Sequence, residues 1–318
     1  MLNNNKLVSI LIPVYNREKY IEETVKGALK QTYKNIEVIV VDNKSNDKTW
    51  NKLQELAKTD NRIRIFQNET NIGPVRNWKR CIDEASGKYG KILWSDDLIA
   101  PDFIKKTLPF LENNEDVGFV FTGTEIFIDG TQKKSENYFI GKTGIYDSDK
   151  YINGVLFEDN YPVSPGCALF RMKDLKENLL INVPNKVNSN FSMHAIGNDL
   201  LIFLLTAHKY KRFAFINEKL SFFRAHKDSI SIKSNNGKLP LHYSLAKAYF
   251  VENYRKDLIR KLNTSIWINI KRYPTTAKKY NLDKIEKFYL SNRDYKLDYV
   301  YLVNKVFKKI LKKMGLMR

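Results

Sequence analysis

Short β-branched runs recur through the first third of this chain, each closed by polar residues and followed by a segment of helical period. Residues 7–13 read "LVSILIP", 36–43 "IEVIVVDN", 63–68 "IRIFQN" and 89–97 "YGKILWSDD". Between the first two, "EKYIEETVKGALKQT" puts Tyr20, Ile21, Val25, Ala28 and Leu29 on one helical face, with Asn16 as its candidate N-cap. A second helix runs through Trp50, Leu53 and Leu56, and "PVRNWKRCIDEAS" at 74–86 is a third, stopped by Gly87. Strands alternating with helices in this way build βαβ units on a mainly parallel sheet. Ligands of such sheets bind beyond the C-terminal ends of the strands. Three polar clusters fall on that edge: Asp42-Asn43, residues 68–76, and Ser95-Asp96-Asp97.

The pattern continues through "PDFIKKTLPFLENN", helical apart from its internal proline, and the strand "VGFVFTG" at 117–123. Residues 124–165 read as a loop-rich excursion over the sheet edge, ending at "CALFRM". "GNDLLIFLLTAHKY" predicts an apolar helix with Asp199 at its start, and the chain returns through one or two strands to "FRAHKDS". This layout divides the chain into an α/β domain over 1–232 and a helical, basic region over 233–318. The net charge is +19, and residues 231–318 hold 21 Lys/Arg against 6 Asp/Glu. Such a field attracts anionic surfaces. In "YLVNKVFKKILKKMGLM" the apolar residues fill one half of a helical wheel and five lysines the other, which predicts a cationic amphipathic helix.

Bulk properties exclude several classes. A hydrophobic fraction of 43% speaks for a globular chain, and two cysteines in apolar surroundings form no disulfide framework and fit a reducing compartment. The N-terminal apolar run is too short for a signal peptide. There is no HExxH, CxxC pair, GxxxxGK or GxGxxG, and nothing resembles a nucleic-acid-binding motif. Paired strand-end carboxylates suit Mg²⁺ or Mn²⁺ bridging a diphosphate. A nucleotidyltransferase would also use them, but would carry a basic glycine-rich loop after the first strand, and "PVYNREKY" is not one. A non-catalytic scaffold remains the third reading. Each carboxylate also has a structural use, as a turn cap at Asp42 or beside a helix N-terminus at Asp199.

The stretches "VSILIPVYNREKYIEETVKGALKQTYKNIEVIVVDNKSND" and "NIGPVRNWKRCIDEASGKYGKILWSDDLIAPD" resemble the inverting glycosyltransferases of family 2, which have the GT-A fold. The resemblance implies an α/β, Rossmann-like mixed sheet, a nucleotide-sugar donor (a UDP-sugar first of all), Mn²⁺ or Mg²⁺, and single displacement with inversion. By the same likeness Pro13, Val14 and Tyr15 line the nucleoside pocket, and Asp42 bonds the base. Asn71, Gly73 and Arg76 approach ribose and phosphates, while Ser95 and Asp96 contact the donor. Asp97 is the implied metal ligand, aided by His226, Asp199 the base, and Gly166 an acceptor-side loop residue. Where many members carry a further aspartate, this chain has Trp94. A lipid-linked surface glycan is the implied acceptor, which places the chain in the cytoplasm, peripheral on the inner face of the membrane through its terminal helix. The long aromatic tail also offers a homodimer contact.

Overall fold

The computed structural model describes residues 6–158, 160–226 and 236–314. Strands β1 (Val8–Val14), β2 (Ile36–Asp42), β3 (Ile63–Gln67) and β4 (Tyr89–Ile92) alternate with helices α1 (Ile21–Leu29), α2 (Thr49–Ala57) and α3 (Pro74–Asp83). β5 (Leu98–Ile99), α4 (Phe103–Glu112), β6 (Val117–Ile128), β7 (Lys134–Asn137), β8 (Gly144–Asp147) and α5 (Ser148–Phe157) follow. Then come β9 (Ala168–Arg171), α6 (Met172–Asn178), α7 (Phe191–His194), α8 (Asn198–Lys209) and the 14-residue β10 (Arg212–Ala225).

All the strands join one sheet in the order β3-β2-β1-β4-β9-β6-β10-β5, with β7 paired to β6 and β8 to β10. β3, β2, β1 and β4 run parallel, whereas β9 is antiparallel to both β4 and β6, making the sheet mixed. Alternate residues of β1 and β2 (Val8, Ile10, Ile12; Ile36, Val38, Val40) pack on Ile21, Val25 and Leu53 of α1 and α2. Each such buried side chain contributes about 2 kcal/mol by leaving water. α3 lies against β1 and β2, where Asn77 Nδ2 donates to the Val41 carbonyl at 3.0 Å. At the far, N-terminal end of the strands Glu37 accepts from Ser9 Oγ and from the backbone of Ser86 and Gly87.

Several expectations change. β1 runs through Pro13 to Val14, because β4 pairs only as far as Leu11, so the missing N–H forfeits no bond on that side. Asn16 does not cap α1: it has φ 50°, its side chain accepts from Asn46 N, and Tyr20 takes the cap position. α4 runs through Pro109, which sits on its exposed side with Lys105, where the N–H that proline lacks is lost at the solvent face and not in the core. The excursion after residue 123 is more ordered than a loop. β6 extends to Ile128, turns at Asp129-Gly130, and β7, β8 and α5 follow.

Residues 1–182 with 190–232 form one compact unit, and 183–189 with 233–318 a second. The second is helical, with Lys238–Tyr254, Ile259–Arg272, Pro274–Lys279 and Tyr299–Lys313 as its α-helices. Inside it the buried Tyr289 hydroxyl donates to Asn263 Oδ1 at 2.8 Å. Among the described residues no helix is long and apolar enough to cross a membrane.

Candidate functional site

β1, β2 and β4 run parallel and side by side, so the residues after each of them share one edge. Tyr15, with Pro13 and Val14 behind it, follows β1 and is 40% exposed, an aromatic ring open to solvent. Asp42 ends β2 fully buried. Its carboxylate accepts from Ser45 N at 3.1 Å, from Ser45 Oγ and from Gln67 Nε2 at 2.8 Å, which closes the turn after the strand. A carboxylate has about four lone-pair positions, so little capacity is left for a further donor.

Asn43 links this turn to the next one. Its Nδ2 donates to Asn71 Oδ1 at 2.8 Å, and its Oδ1 accepts from Asn68 and from Ile72 N. Gly73 enters α3 at φ 83°, and a Cβ there would lie 2.6 Å from Met193 Sδ, so only glycine fits. Arg76, exposed on α3, donates to Ser192 Oγ at 2.9 Å.

The "WSDD" turn after β4 is bound from several sides. Trp94 packs tilted at 50° against Trp78, its centroid 4.8 Å away, and its indole donates to Ser164 Oγ at 2.9 Å. Ser95 is buried. Asp96 Oδ2 meets His226 Nε2 at 2.7 Å and Arg17 Nε at 3.2 Å. Asp97 is 6% exposed, and its Oδ1 accepts from the Arg224 backbone N–H at 2.8 Å. Burial first, and the like charge of Asp96 second, push the Asp97 carboxyl well above the ordinary carboxylate range, against that hydrogen bond and the nearby Lys91 and Arg224 charges.

Lys91, in the middle of β4, is fully buried. Its ammonium donates to the Gly166 carbonyl and lies 4.5 Å from the centre of the Phe103 ring. Burial lowers its pKa to about 7, with Cys167 and Asp97 opposing the shift. Gly166 itself has no room for a side chain, since a Cβ would sit 2.9 Å from Trp94 Nε1. Tyr138 and Tyr151 are both pushed up, by burial first, with Cys167 and Asp199 adding to it. Electrostatic neighbours therefore run from Asp97 through Lys91 to Cys167, and Tyr138 and Tyr151 lie near both Cys167 and Asp199. Asp199, 7% exposed on the first turn of α8, accepts from Gly197 N at 3.0 Å and Leu200 N at 2.8 Å.

Sequence reading missed three cations that organise this edge. Lys91 was visible as a lone lysine inside an apolar strand. Arg224 precedes His226 by two residues. Its guanidinium donates to the Asp96 carbonyl and pairs with Asp129 and Glu23, and it lies 4.9 Å from the centre of the Tyr20 ring and 4.7 Å from that of Phe127. Arg17 carries no local signal; only the fold brings it to Asp96. Among the described residues no three His, Cys, Asp or Glu side chains form a metal-holding group. Asp96 and Asp97 still offer adjacent carboxylates, with His226 on Asp96, and Mg²⁺-type ions take one or two carboxylates and complete their shell with water and phosphate. The raised Asp97 carboxyl is what a neighbouring cation would reverse.

Residues 9–179 match the sequence pattern of glycosyl transferase family 2. This chain belongs to that family. Among similar family members, an uncharacterized glycosyltransferase of Haemophilus influenzae is 31% identical over 186 residues, 57% of this chain and 56% of the relative. TuaG of Bacillus subtilis, a glycosyltransferase named for teichuronic acid biosynthesis, is 37% identical over 132 residues, 41% of this chain and 52% of the relative. The chain thus spans about half the length of these two relatives. In fold, it is similar to residues 1–349 of S. aureus TarS in complex with UDP, with TM-score 0.61, 19% identity, and coverage of 85% of this chain and 73% of that TarS chain. TarS in complex with UDP-GlcNAc gives 0.56 at 15% identity, covering 96% and 92%. The family 2 sheet of this chain is therefore the GT-A arrangement expected from its sequence.

Proposed function

We propose that the chain transfers a sugar from a UDP-sugar to a hydroxyl of a lipid-linked glycan, with inversion at the anomeric carbon and dependence on Mn²⁺ or Mg²⁺. The observation that carries this reading is the convergence of Tyr15, Asp42, Asp96 and Asp97 on one sheet edge, from strands separated in sequence by whole helices. The UDP and UDP-GlcNAc complexes of TarS, which shares the fold, support the donor class.

In this reading the exposed Tyr15 ring stacks on the base, with Pro13 and Val14 behind it and Asp42 holding the turn that receives it. Asn71, Gly73 and Arg76 meet the ribose and phosphates, where the Arg76 guanidinium makes charge-assisted contacts. Ser95 and Asp96 orient the donor. Asp97, with His226 acting beside Asp96, would hold the cation, whose charge stabilises the departing diphosphate. Gly166, tied down by Lys91, shapes the acceptor side. Asp199 takes the proton of the acceptor hydroxyl as its oxygen bonds to the anomeric carbon. The bond from that carbon to the phosphate oxygen breaks on the opposite face, releasing the nucleoside diphosphate. Transfer onto a lipid-linked acceptor takes place at the inner membrane face.

A donor panel with Mn²⁺ or Mg²⁺ tests this, following nucleoside diphosphate release and donor binding by calorimetry. One donor should bind in a metal-dependent way. Asp97→Asn should abolish that dependence, and Asp199→Asn should retain donor binding while slowing turnover about a hundredfold or more. Pyrophosphate release instead would assign a nucleotidyltransferase. A folded chain that binds no donor would assign a scaffold.

A further inference from the structure

The helix Tyr299–Lys313 carries six of the twelve large hydrophobic side chains that are exposed among the described residues. They are Tyr299, Val300, Val303, Val306, Phe307 and Ile310, each between 48% and 74% exposed. At about 100° per residue they occupy a single stripe about 120° wide. The opposite side of the helix is anchored in its own unit. The Tyr301 hydroxyl lies 3.3 Å from Ser265 Oγ, and Asp298 N donates to Thr264 Oγ1 at 2.9 Å, both on the helix Ile259–Arg272. The stripe therefore faces away from the helix that holds it.

Charge decides what can cover it. No acidic residue occurs from Tyr299 onward. Lys308 and Lys309, both exposed, flank the stripe on its two sides, where long stems let the ammonium groups reach past the apolar band. A second copy would bring two acid-free, lysine-flanked helices together, and like charges oppose that pairing. Nucleic acid would engage the lysines and leave the stripe in water. An anionic bilayer satisfies both features, with acyl chains for the stripe and headgroups for the lysines.

We propose that this helix lies in the headgroup region of an anionic lipid bilayer with its apolar stripe inward, as a reversible membrane anchor. The inference takes the membrane location of the acceptor from the function proposed above, but it rests on residues outside the donor site, and vesicle binding is read without any turnover. Its test is sedimentation of the full chain with vesicles of phosphatidylcholine alone or mixed with phosphatidylglycerol, at low and at physiological salt. The chain should sediment with the mixed vesicles, weakly with the neutral ones, and less as salt rises. Lys308→Gln and Lys309→Gln should each weaken binding about fivefold. Phe307→Asp should abolish it with an unchanged melting temperature, and Asp97→Asn should bind like the native chain. The proposal is overturned if the native chain ignores both vesicle types or if Phe307→Asp sediments as the native chain does. A dimer that Phe307→Asp dissociates, without any vesicle binding, would overturn it in favour of a second copy.

Discussion

His226 Nε2 lies 2.7 Å from Asp96 Oδ2, joining the residue after β10 to the turn after β4 across 130 positions of sequence. The His226 ring also lies 5.1 Å from the ring of Tyr20, just before α1, and Arg17 of the same segment reaches Asp96 Oδ2 at 3.2 Å, so three segments meet at one carboxylate. His226→Ala removes both contacts and leaves Asp96 to Arg17. We expect UDP affinity, measured by calorimetry with Mn²⁺, to fall about tenfold, with a melting temperature only a few degrees lower. Unchanged affinity would reduce His226 to a packing residue.

Asp97 gives the opposite pairing of stability and function. Its buried carboxylate is held toward the protonated form, and asparagine keeps an oxygen for the Arg224 N–H while removing the charge. Asp97→Asn should therefore melt no lower than the native chain, and higher by about 2 °C for a gain near 1 kcal/mol. Sugar transfer should meanwhile fall by about a hundredfold or more. A variant both less stable and still active would contradict this reading of the site.

Lys91 makes stability depend on pH in a direction unusual for a lysine. Its folded value of about 7 lies below the ordinary 10.5. Between those two values the unfolded chain holds a proton that the folded one has shed, so this group makes stability rise with pH through that window. Lys91→Met should remove that contribution, at most about 1.4 kcal/mol per pH unit, and loosen Gly166. Urea unfolding of both proteins at pH 7 and pH 9 is the check. Equal slopes against pH would show that the lysine keeps its charge in the fold.

Glu37 is the structural counterpart at the other end of the strands. Burial would raise its pKa, but hydrogen bonds from Ser9 and Ser86 and the Arg64 pair overcome that and hold it below the ordinary 4.5. This contribution is full above the unfolded value and is lost as pH falls through the folded one. Glu37→Gln should cost about 2 kcal/mol at pH 7 and weaken the acid sensitivity of unfolding. Transfer activity per folded molecule should stay the same, because the residue lies at the edge away from the site.

How much could be read in advance differed by segment. β1 to β4 and α1 to α3 were legible because each buries one periodic face or a continuous apolar run, and that periodicity is local. The strands within residues 124–165 were not. β7 and β8 are short, exposed or half-exposed, and exist by pairing with β6 and β10, which no local pattern announces. The same holds for Asn16, whose side chain serves the turn at Asn46 instead of the nearer helix.

The residues by themselves determined the alternation of strands and helices, the polar clusters that end the strands, the family, and the separation of apolar and cationic faces on the terminal helix. These are properties of neighbouring positions, set by side-chain period and by the cost of burying charge. Only the tertiary structure decided which charges meet: Arg17 and His226 at Asp96, Arg224 at Asp97, and Lys91 at Gly166. A carboxylate's protonation and a lysine's partner depend on burial and on charges brought within a few ångströms, and such proximity between distant segments exists only once the sheet has formed.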